Sequence, residues 1–225
     1  MEFNEKLKKK EYIYFMPDLL EKYKKYRRRS MKLNTEVIEK CITRNILEKA
    51  SRYLGILKGN TLIFEYEDEV NVLMDFALHE IKINGKNVIE IYMEKYGFKD
   101  EIEKEIINAH LFSYTSLFEV ADIFENEGII LLKDLLNKEK KLKLMDIGFS
   151  KTASKGLLIF IRILPFEEFN TTSGISFVFE NRLKNRLINE YKTFNKPAES
   201  ESMRCFICFH QLYRQYGIDV YYIHI

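Results

Sequence analysis

The chain contains no tryptophan, and among its 225 residues it has only three cysteines, three prolines and nine glycines. A small, odd number of cysteines excludes a disulfide scaffold and is typical of a reducing compartment, so we expect a cytoplasmic protein. The low glycine and proline content excludes collagen-like and low-complexity chains. A hydrophobic share of 46% excludes a wholly disordered one.

Long apolar stretches are also missing. Unbroken apolar runs reach only five residues, as in Leu157 to Ile161, whereas a helix that spans a bilayer needs about 20. The N-terminal sequence MEFNEKLKKKEYIYF has neither an apolar core nor a small-residue cleavage site, so we expect no signal peptide. The sequence therefore predicts a soluble protein with no membrane partner, long enough to bury a core of its own. It gives no indication of the oligomeric state.

Positive charge is concentrated near the N-terminus. Residues 1–32 hold eight lysines and three arginines against five acidic residues, although the whole chain has a net charge of only +2. The remaining residues are therefore net negative. An asymmetry of this kind indicates an anionic partner for the basic segment.

The first half of the chain has the three-to-four-residue apolar spacing of helices. Pro17 and Asp18 are predicted to start one helix, and Thr35 to cap a second that ends at Gly55. Further helices are predicted over 69–83, over 88–97 and from Asp100 to about residue 112.

After about residue 113 the pattern changes to short apolar runs separated by turn-forming residues. Strands are predicted at 117–124, 129–136, 141–144, 157–164 and 175–179. The segments SKTASKG (150–156) and NTTSG (170–174) are interpreted as turns. Helical spacing returns at Glu180, and the closing IDVYYIHI predicts a final strand.

These patterns predict an α+β fold, because helices and strands occupy separate stretches of the chain. We expect a helical region over 1–112 and a small antiparallel β-barrel or curved sheet over 113–180. C-terminal helices over 181–225 would pack back on the rest.

The basic segment is the main candidate binding site. Its cations are KLKKK at 6–10 followed by Lys22, Lys24, Lys25, Arg27, Arg28 and Arg29. Lysine and arginine neutralise phosphates and release their counterions, which favours a nucleic acid or another polyanion as partner. A solvated helix face, or a docking site for a protein, is the alternative. Lys22, Lys25 and Arg29 are predicted to form one exposed row that is replaceable without loss of folding.

A second candidate combines acids with a histidine. Asp75 and His79 lie four residues apart on a predicted helix, followed by Glu80. Carboxylates and an imidazole on one helix face suit a divalent metal or an acid–base pair. HEIKIN lacks the second histidine of HExxH, and a surface pair on a half-exposed helix is the alternative interpretation.

Two weaker candidates complete the set. The polar segment SKTASKG offers an anion-binding turn made by Ser150, Lys151, Thr152 and Lys155, although it lacks the GxxxxGK[ST] frame of a phosphate loop. Cys205, Cys208 and His210 have the spacing of half a zinc site. Buried cysteines that act as small hydrophobes are the favoured interpretation there, so no metal or cofactor is expected.

No nucleophile-elbow, kinase or dinucleotide-binding motif occurs. We therefore expect a non-catalytic binding or regulatory protein that contacts a nucleic acid or a protein through the basic helical face, the β unit or both. The alternative is a metal-dependent hydrolase or nuclease that uses Asp75, His79 and Glu80.

Overall fold

The structure is a computed structural model that describes residues 2–138 and 140–218, with residues 2–17 described by their backbone only. Within these residues the chain forms eight α-helices: α1 (Glu2–Cys41), α2 (Arg44–Leu54), α3 (Glu69–His79), α4 (Val88–Tyr96), α5 (Glu101–Leu111), α6 (Ile147–Thr152), α7 (Lys184–Thr193) and α8 (Glu201–Tyr216). Its strands are β1 (Leu57–Lys58), β2 (Thr61–Leu62), β3 (Tyr114–Phe124), β4 (Ile129–Asp134), β5 (Lys141–Met145), β6 (Leu158–Pro165) and β7 (Asn170–Phe179). The predicted α+β class is confirmed.

The N-terminal helix is longer than the sequence predicts. α1 is a single helix of 40 residues, with Pro17 inside it, since a proline removes one intrahelical hydrogen bond without always ending a helix. Thr35 does not cap a helix start, because its hydroxyl donates to the Met31 carbonyl one turn back. The cap of α2 is Thr43. Buried apolar residues recur on one face from Leu19 to Val37, so nothing in that stretch interrupts the helix.

α4 and α5 begin and end close to the predicted residues, whereas α2 begins at Arg44 instead of Thr35 and α3 ends at His79 instead of residue 83. Gly55 ends α2 in the left-handed conformation, at a φ of 76°. Asn87 and Glu90 form a capping box at the start of α4, and the Asp100 side chain accepts from the backbone of Glu103 at the start of α5. The two-stranded β1–β2 hairpin was not predicted.

Five strands form one strongly curved sheet. β3 pairs antiparallel with β4 and β6, β4 pairs with β5, and β6 pairs with β7. The ends of this sheet meet at a single parallel pair, Leu144 with Asn170. We therefore describe the unit as a curved sheet rather than a fully hydrogen-bonded barrel. Residues 170–174, predicted as a turn, belong to β7.

The two faces of the curved sheet pack against different partners. Side chains on its concave face, such as Phe118 and Ile161, form a small core of their own. The convex face, with Phe160 and Phe177, packs against Phe206 of α8 and shares one larger core with the N-terminal helices. Because β6 is covered on both faces, its sequence is nearly all apolar.

The long helix α1 lies against α4, α5 and the loop between β6 and β7. Tyr23 and Tyr26 pack edge-to-face on Phe169 of that loop. At the other end of the chain, the Ile218 amide donates to the Val178 carbonyl of β7. The predicted final strand lies over 219–225, outside the described residues. No helix in the described part of the chain combines the length and apolarity that crossing a bilayer requires.

Candidate functional site

The exposed face of α1 opposite Tyr23 and Tyr26 carries a row of cations. Lys25, Arg28, Arg29 and Lys32 recur at the three-and-four-residue spacing of one helix face. Together with Asp100 and Ile102 at the start of α5, they line a groove of about 550 Å³. We call this the cationic groove. Four cations and one carboxylate line it, so its charge is strongly positive.

Two of the predicted cations lie beside this groove and have partners elsewhere. The Lys22 ammonium pairs with Glu168 of the β6–β7 loop at 2.9 Å. Lys24 pairs with Glu21 on its own helix at 2.7 Å. These contacts are half-exposed or exposed, so each contributes little to stability.

Two arginines of the predicted set hold α1 to its neighbours. Arg27 donates to the Thr172 carbonyl of β7 at 2.7 Å. Arg29 pairs with Asp100 and with Glu103, both at 3.0 Å, and the Glu103 side chain is buried. The predicted row of Lys22, Lys25 and Arg29 is therefore wrong as a freely replaceable set, because Arg29 neutralises a buried carboxylate.

Lys25, Arg28 and Lys32 are the cations of the groove without such ties. All three are exposed, and none makes a hydrogen bond or ion pair to another described residue. Their side chains are long and flexible, so they remain available to an anion from outside. The side chains of the more N-terminal lysines, at 6–10, lie outside what the structure describes.

The acid–histidine candidate forms a buried network. Asp75, His79 and Glu80, the residues of the hydrolase hypothesis, lie in one network, but the two acids bind Arg162 of β6, a residue that sequence reasoning missed. The Arg162 guanidinium contacts Asp75 at 2.9 Å and Glu80 at 2.7 Å. Ser202 of α8 donates to the same Glu80 oxygen at 2.9 Å. Two acidic side chains thus bind one guanidinium in the middle of the core.

The histidines extend this network towards α1. His79 Nδ1 lies 2.8 Å from the Asp75 carbonyl, and its Nε2 lies 3.0 Å from His110 Nδ1. Because a carbonyl only accepts, His79 carries its proton on Nδ1, and His110 donates to it. The remaining nitrogen of His110 is then free to accept from the Ser30 hydroxyl at 3.4 Å.

Burial fixes the charge state of these groups. Burial and the nearby Arg162 charge lower the pKa of His79 to about 3, and burial lowers the pKa of His110 to about 4. Burial is the largest influence on Asp75 and raises its pKa, but the Arg162 charge, His79 and hydrogen bonds from Ser173 and Arg162 together hold that pKa below its usual value. At neutral pH the network therefore holds neutral imidazoles and an ionised Asp75, with no open face for a substrate.

The two cysteines and the histidine of the predicted zinc site make separate contacts. Cys205 and Cys208 are buried, and burial raises the pKa of each thiol to about 12. His210 Nε2 instead bonds the buried Glu69 at 2.7 Å, beside Arg214. Within the described residues, no three His, Cys, Asp or Glu side chains are grouped so as to hold a metal ion.

The predicted anion-binding turn has another structure. Ser150, Lys151 and Thr152 belong to α6, so the segment is not a simple turn between strands. The hydroxyls of Ser150 and Thr152 donate to carbonyls of that helix at 3.0 and 3.5 Å. Lys155 pairs with Asp122 of β3 at 2.7 Å. These groups do not converge on a common point.

Sequence reasoning missed three buried charges, of which only Arg162 had a signal in the sequence, as a charge in an otherwise apolar strand. Arg162 interrupts the apolar β6, and Glu103 and Glu69 are buried acids at helix starts. A charge in a buried strand requires a counter-charge nearby, and Asp75 and Glu80 supply it.

Comparison with known proteins gives no activity. No curated protein and no solved structure matches the chain. Residues 17–223 match the family described as "Family of unknown function (DUF7986)". Since this match covers most of the chain, the protein belongs to that family.

Proposed function

We propose that this protein is a non-catalytic binding protein that holds a nucleic acid by its phosphate backbone in the cationic groove. One observation carries the proposal: Lys25, Arg28 and Lys32 line the groove without a hydrogen bond or ion pair to any described residue. Other basic residues of α1, such as Arg27 and Arg29, are engaged in holding the fold. The three remaining cations have no such structural task.

The spacing of the cations suits a polyanion. Seven residues separate Lys25 from Lys32, which corresponds to about 10 Å along the helix at 1.5 Å per residue. A row of that length reaches more than one phosphate of a nucleic acid strand. Contacts to phosphates carry no sequence information by themselves, so the binding is expected to be insensitive to base sequence.

A nucleic acid fits the groove better than an acidic protein does. Protein interfaces centre on apolar anchors and are depleted of lysine. The groove offers only Met31, which is 64% exposed, and Ile102 as apolar side chains among its cations. Its chemistry is dominated by charge, as at phosphate-binding surfaces.

The metal-dependent hydrolase is the second candidate, because Asp75, His79 and Glu80 share one network with His110, although among the described residues no three such side chains are grouped so as to hold a metal ion. It ranks below the binding function because those side chains are buried and bond one another or Arg162. Stoichiometric zinc, manganese or magnesium in the purified protein would favour this candidate.

The test is fluorescence anisotropy with a labelled single-stranded and a labelled duplex oligonucleotide at about 50 mM salt, where backbone binding is strong. We expect the wild type to bind at least one probe and the variant Lys25→Gln/Arg28→Gln/Lys32→Gln to bind more than tenfold more weakly. The matched control is Lys58→Gln/Lys143→Gln/Lys196→Gln, which removes three exposed lysines that lie outside the groove.

Each outcome is informative. Equal loss of binding in the control variant would mean that only net charge matters, and the groove assignment would be wrong. Absence of binding by the wild type would exclude the nucleic acid. Retention of polyglutamate but of neither oligonucleotide would assign the groove to an acidic protein segment instead.

A further inference from the structure

A second cavity, of about 700 Å³, lies at one end of the curved sheet. Its walls come from the start of β3, the turn between β4 and β5, and the facing parts of α7 and α8. Its volume lies within the range of small-molecule sites, which are mostly apolar with a few placed polar groups. It shares no lining residue with the cationic groove.

The carboxylates in this cavity are already satisfied. Asp134 accepts hydrogen bonds from the Ser116 hydroxyl, from the Leu136 amide and from both the backbone and the side chain of Asn137. Glu201 at the start of α8 pairs with Arg204 at 2.6 Å. Neither acid is therefore available to bind a cationic ligand.

Three of the remaining polar side chains can donate to a ligand, namely Lys140, Lys141 and Thr115. Lys140 and Lys141 line the cavity and make no hydrogen bond or ion pair with another described side chain. The hydroxyl of Thr115 is buried there without a hydrogen-bond partner. An unpaired buried hydroxyl costs free energy, which a ligand acceptor would recover.

Apolar side chains make up much of the rest. Phe118, Leu136 and Leu142 line the same cavity. Phe118 is fully buried beneath it, so the cavity reaches down to the core of the sheet. A ligand that fills the space therefore needs an apolar body as well as an acceptor group.

We propose that this cavity binds a small organic anion, consisting of an apolar body with one carboxylate or phosphate group. Lys140 and Lys141 neutralise the anionic group, and the Thr115 hydroxyl donates a hydrogen bond to it. The apolar body packs against Leu136 and Leu142. This site is separate from the proposed nucleic-acid groove, and each stands or falls without the other.

The probe for the test is 8-anilinonaphthalene-1-sulfonate, an aromatic anion whose fluorescence rises when it is bound. We expect one saturable site in the wild type and at least tenfold weaker binding in Lys140→Gln/Lys141→Gln. The control Lys58→Gln/Lys143→Gln removes the same charge away from the cavity and is expected to bind like the wild type. Thr115→Val, which keeps the side-chain shape, is expected to weaken binding severalfold.

A unique fluorophore locates the bound probe. Because the chain has no tryptophan, Tyr114→Trp places a single one in the cavity wall at a residue that the proposal does not assign to ligand binding. Its emission is expected to fall by energy transfer as the probe binds, while the thermal unfolding temperature checks that the variant folds. Displacement by benzoate identifies a carboxylate site and displacement by phenyl phosphate a phosphate site, whereas uncharged benzyl alcohol is expected to displace nothing.

The proposal is overturned by any one of the following results. These are the absence of saturable binding, equal affinity in the Lys140→Gln/Lys141→Gln variant, or unquenched tryptophan emission in Tyr114→Trp at saturation. Displacement by benzyl alcohol as effective as that by benzoate would likewise show that charge plays no part.

Discussion

The guanidinium Nε of Arg162 lies 2.9 Å from a carboxylate oxygen of Asp75, although 87 residues separate them in the chain. This pair joins β6 of the curved sheet to α3 of the helical region. Glu80 binds a second nitrogen of the same guanidinium, so the contact is a buried group of two acids and one base. This buried ion group therefore fixes the sheet against the helices, in addition to the apolar packing between them.

Replacement of Arg162 by methionine is expected to destabilise the protein strongly. It leaves two buried carboxylates without their cation, and loss of one member of a buried ion group costs about 3–5 kcal/mol. Urea unfolding followed by circular dichroism measures the free energy of unfolding. The triple variant Arg162→Met/Asp75→Asn/Glu80→Gln removes all the charges and is expected to recover part of the loss. A loss below about 1 kcal/mol in Arg162→Met would contradict this role, since it would match an ordinary surface substitution.

Acidification is expected to destabilise the protein at pH values well above the usual pKa values of carboxylates. His79 and His110 stay neutral in the folded state down to about pH 3 and 4, but they protonate near 6.5 in the unfolded chain. Below pH 6.5 the unfolded state therefore binds more protons, so stability is complete above this pH and falls as the pH decreases. At pH 5 each histidine accounts for about 2 kcal/mol of lost stability, from 1.36 kcal/mol per pH unit.

Two measurements check this pH dependence. Urea unfolding at pH 7 and at pH 5 gives the loss of stability directly. Proton NMR of the imidazole signals is expected to show no titration of His79 or His110 between pH 8 and 5. A titration midpoint near 6.5 for both rings would show that they are open to solvent, and the buried network would be refuted.

Neighbouring arginines on α1 are expected to differ sharply in their effect on folding. Arg29→Gln leaves the buried Glu103 without its cation and is expected to cost about 1–3 kcal/mol. Arg28→Gln removes an exposed side chain with no ion-pair partner among the described residues and is expected to change stability by less than about 0.5 kcal/mol. The unfolding temperatures of the two single variants, measured side by side, test this difference in stability. Equal unfolding temperatures would mean that Arg29 belongs with the free cations.

Much of the fold was predictable because periodicity and turn residues are local signals. The apolar spacing of α3, α4 and α8 and the cap at Asp100 are present in the sequence itself. Continuity of α1 past Thr35 was not predictable, since the buried face from Leu19 to Val37 is covered by elements distant in the sequence. The short helix α6 was missed because its polar residues 150–152 have the composition of a turn.

The candidate site was only partly predictable, because partners distant in sequence decide which charges are free. In the sequence, Lys25, Arg28 and Arg29 cannot be told apart as basic residues. Only the fold shows that Arg29 pairs with Glu103. Asp75 and Glu80 were singled out for chemistry, whereas their partner Arg162 turns them into a structural group. The cavity at the sheet end joins residues from β3, the β4–β5 turn and α8, so no local pattern reveals it.

The dependence of oligonucleotide affinity on salt tests the central claim most directly. If Lys25, Arg28 and Lys32 each neutralise one phosphate, log K falls with log salt at a slope of about −2 for a single strand and about −3 for a duplex. The account predicts that slope for the wild type and a slope near zero for Lys25→Gln/Arg28→Gln/Lys32→Gln. The same slope in both proteins, or an affinity that does not change with salt, would contradict it.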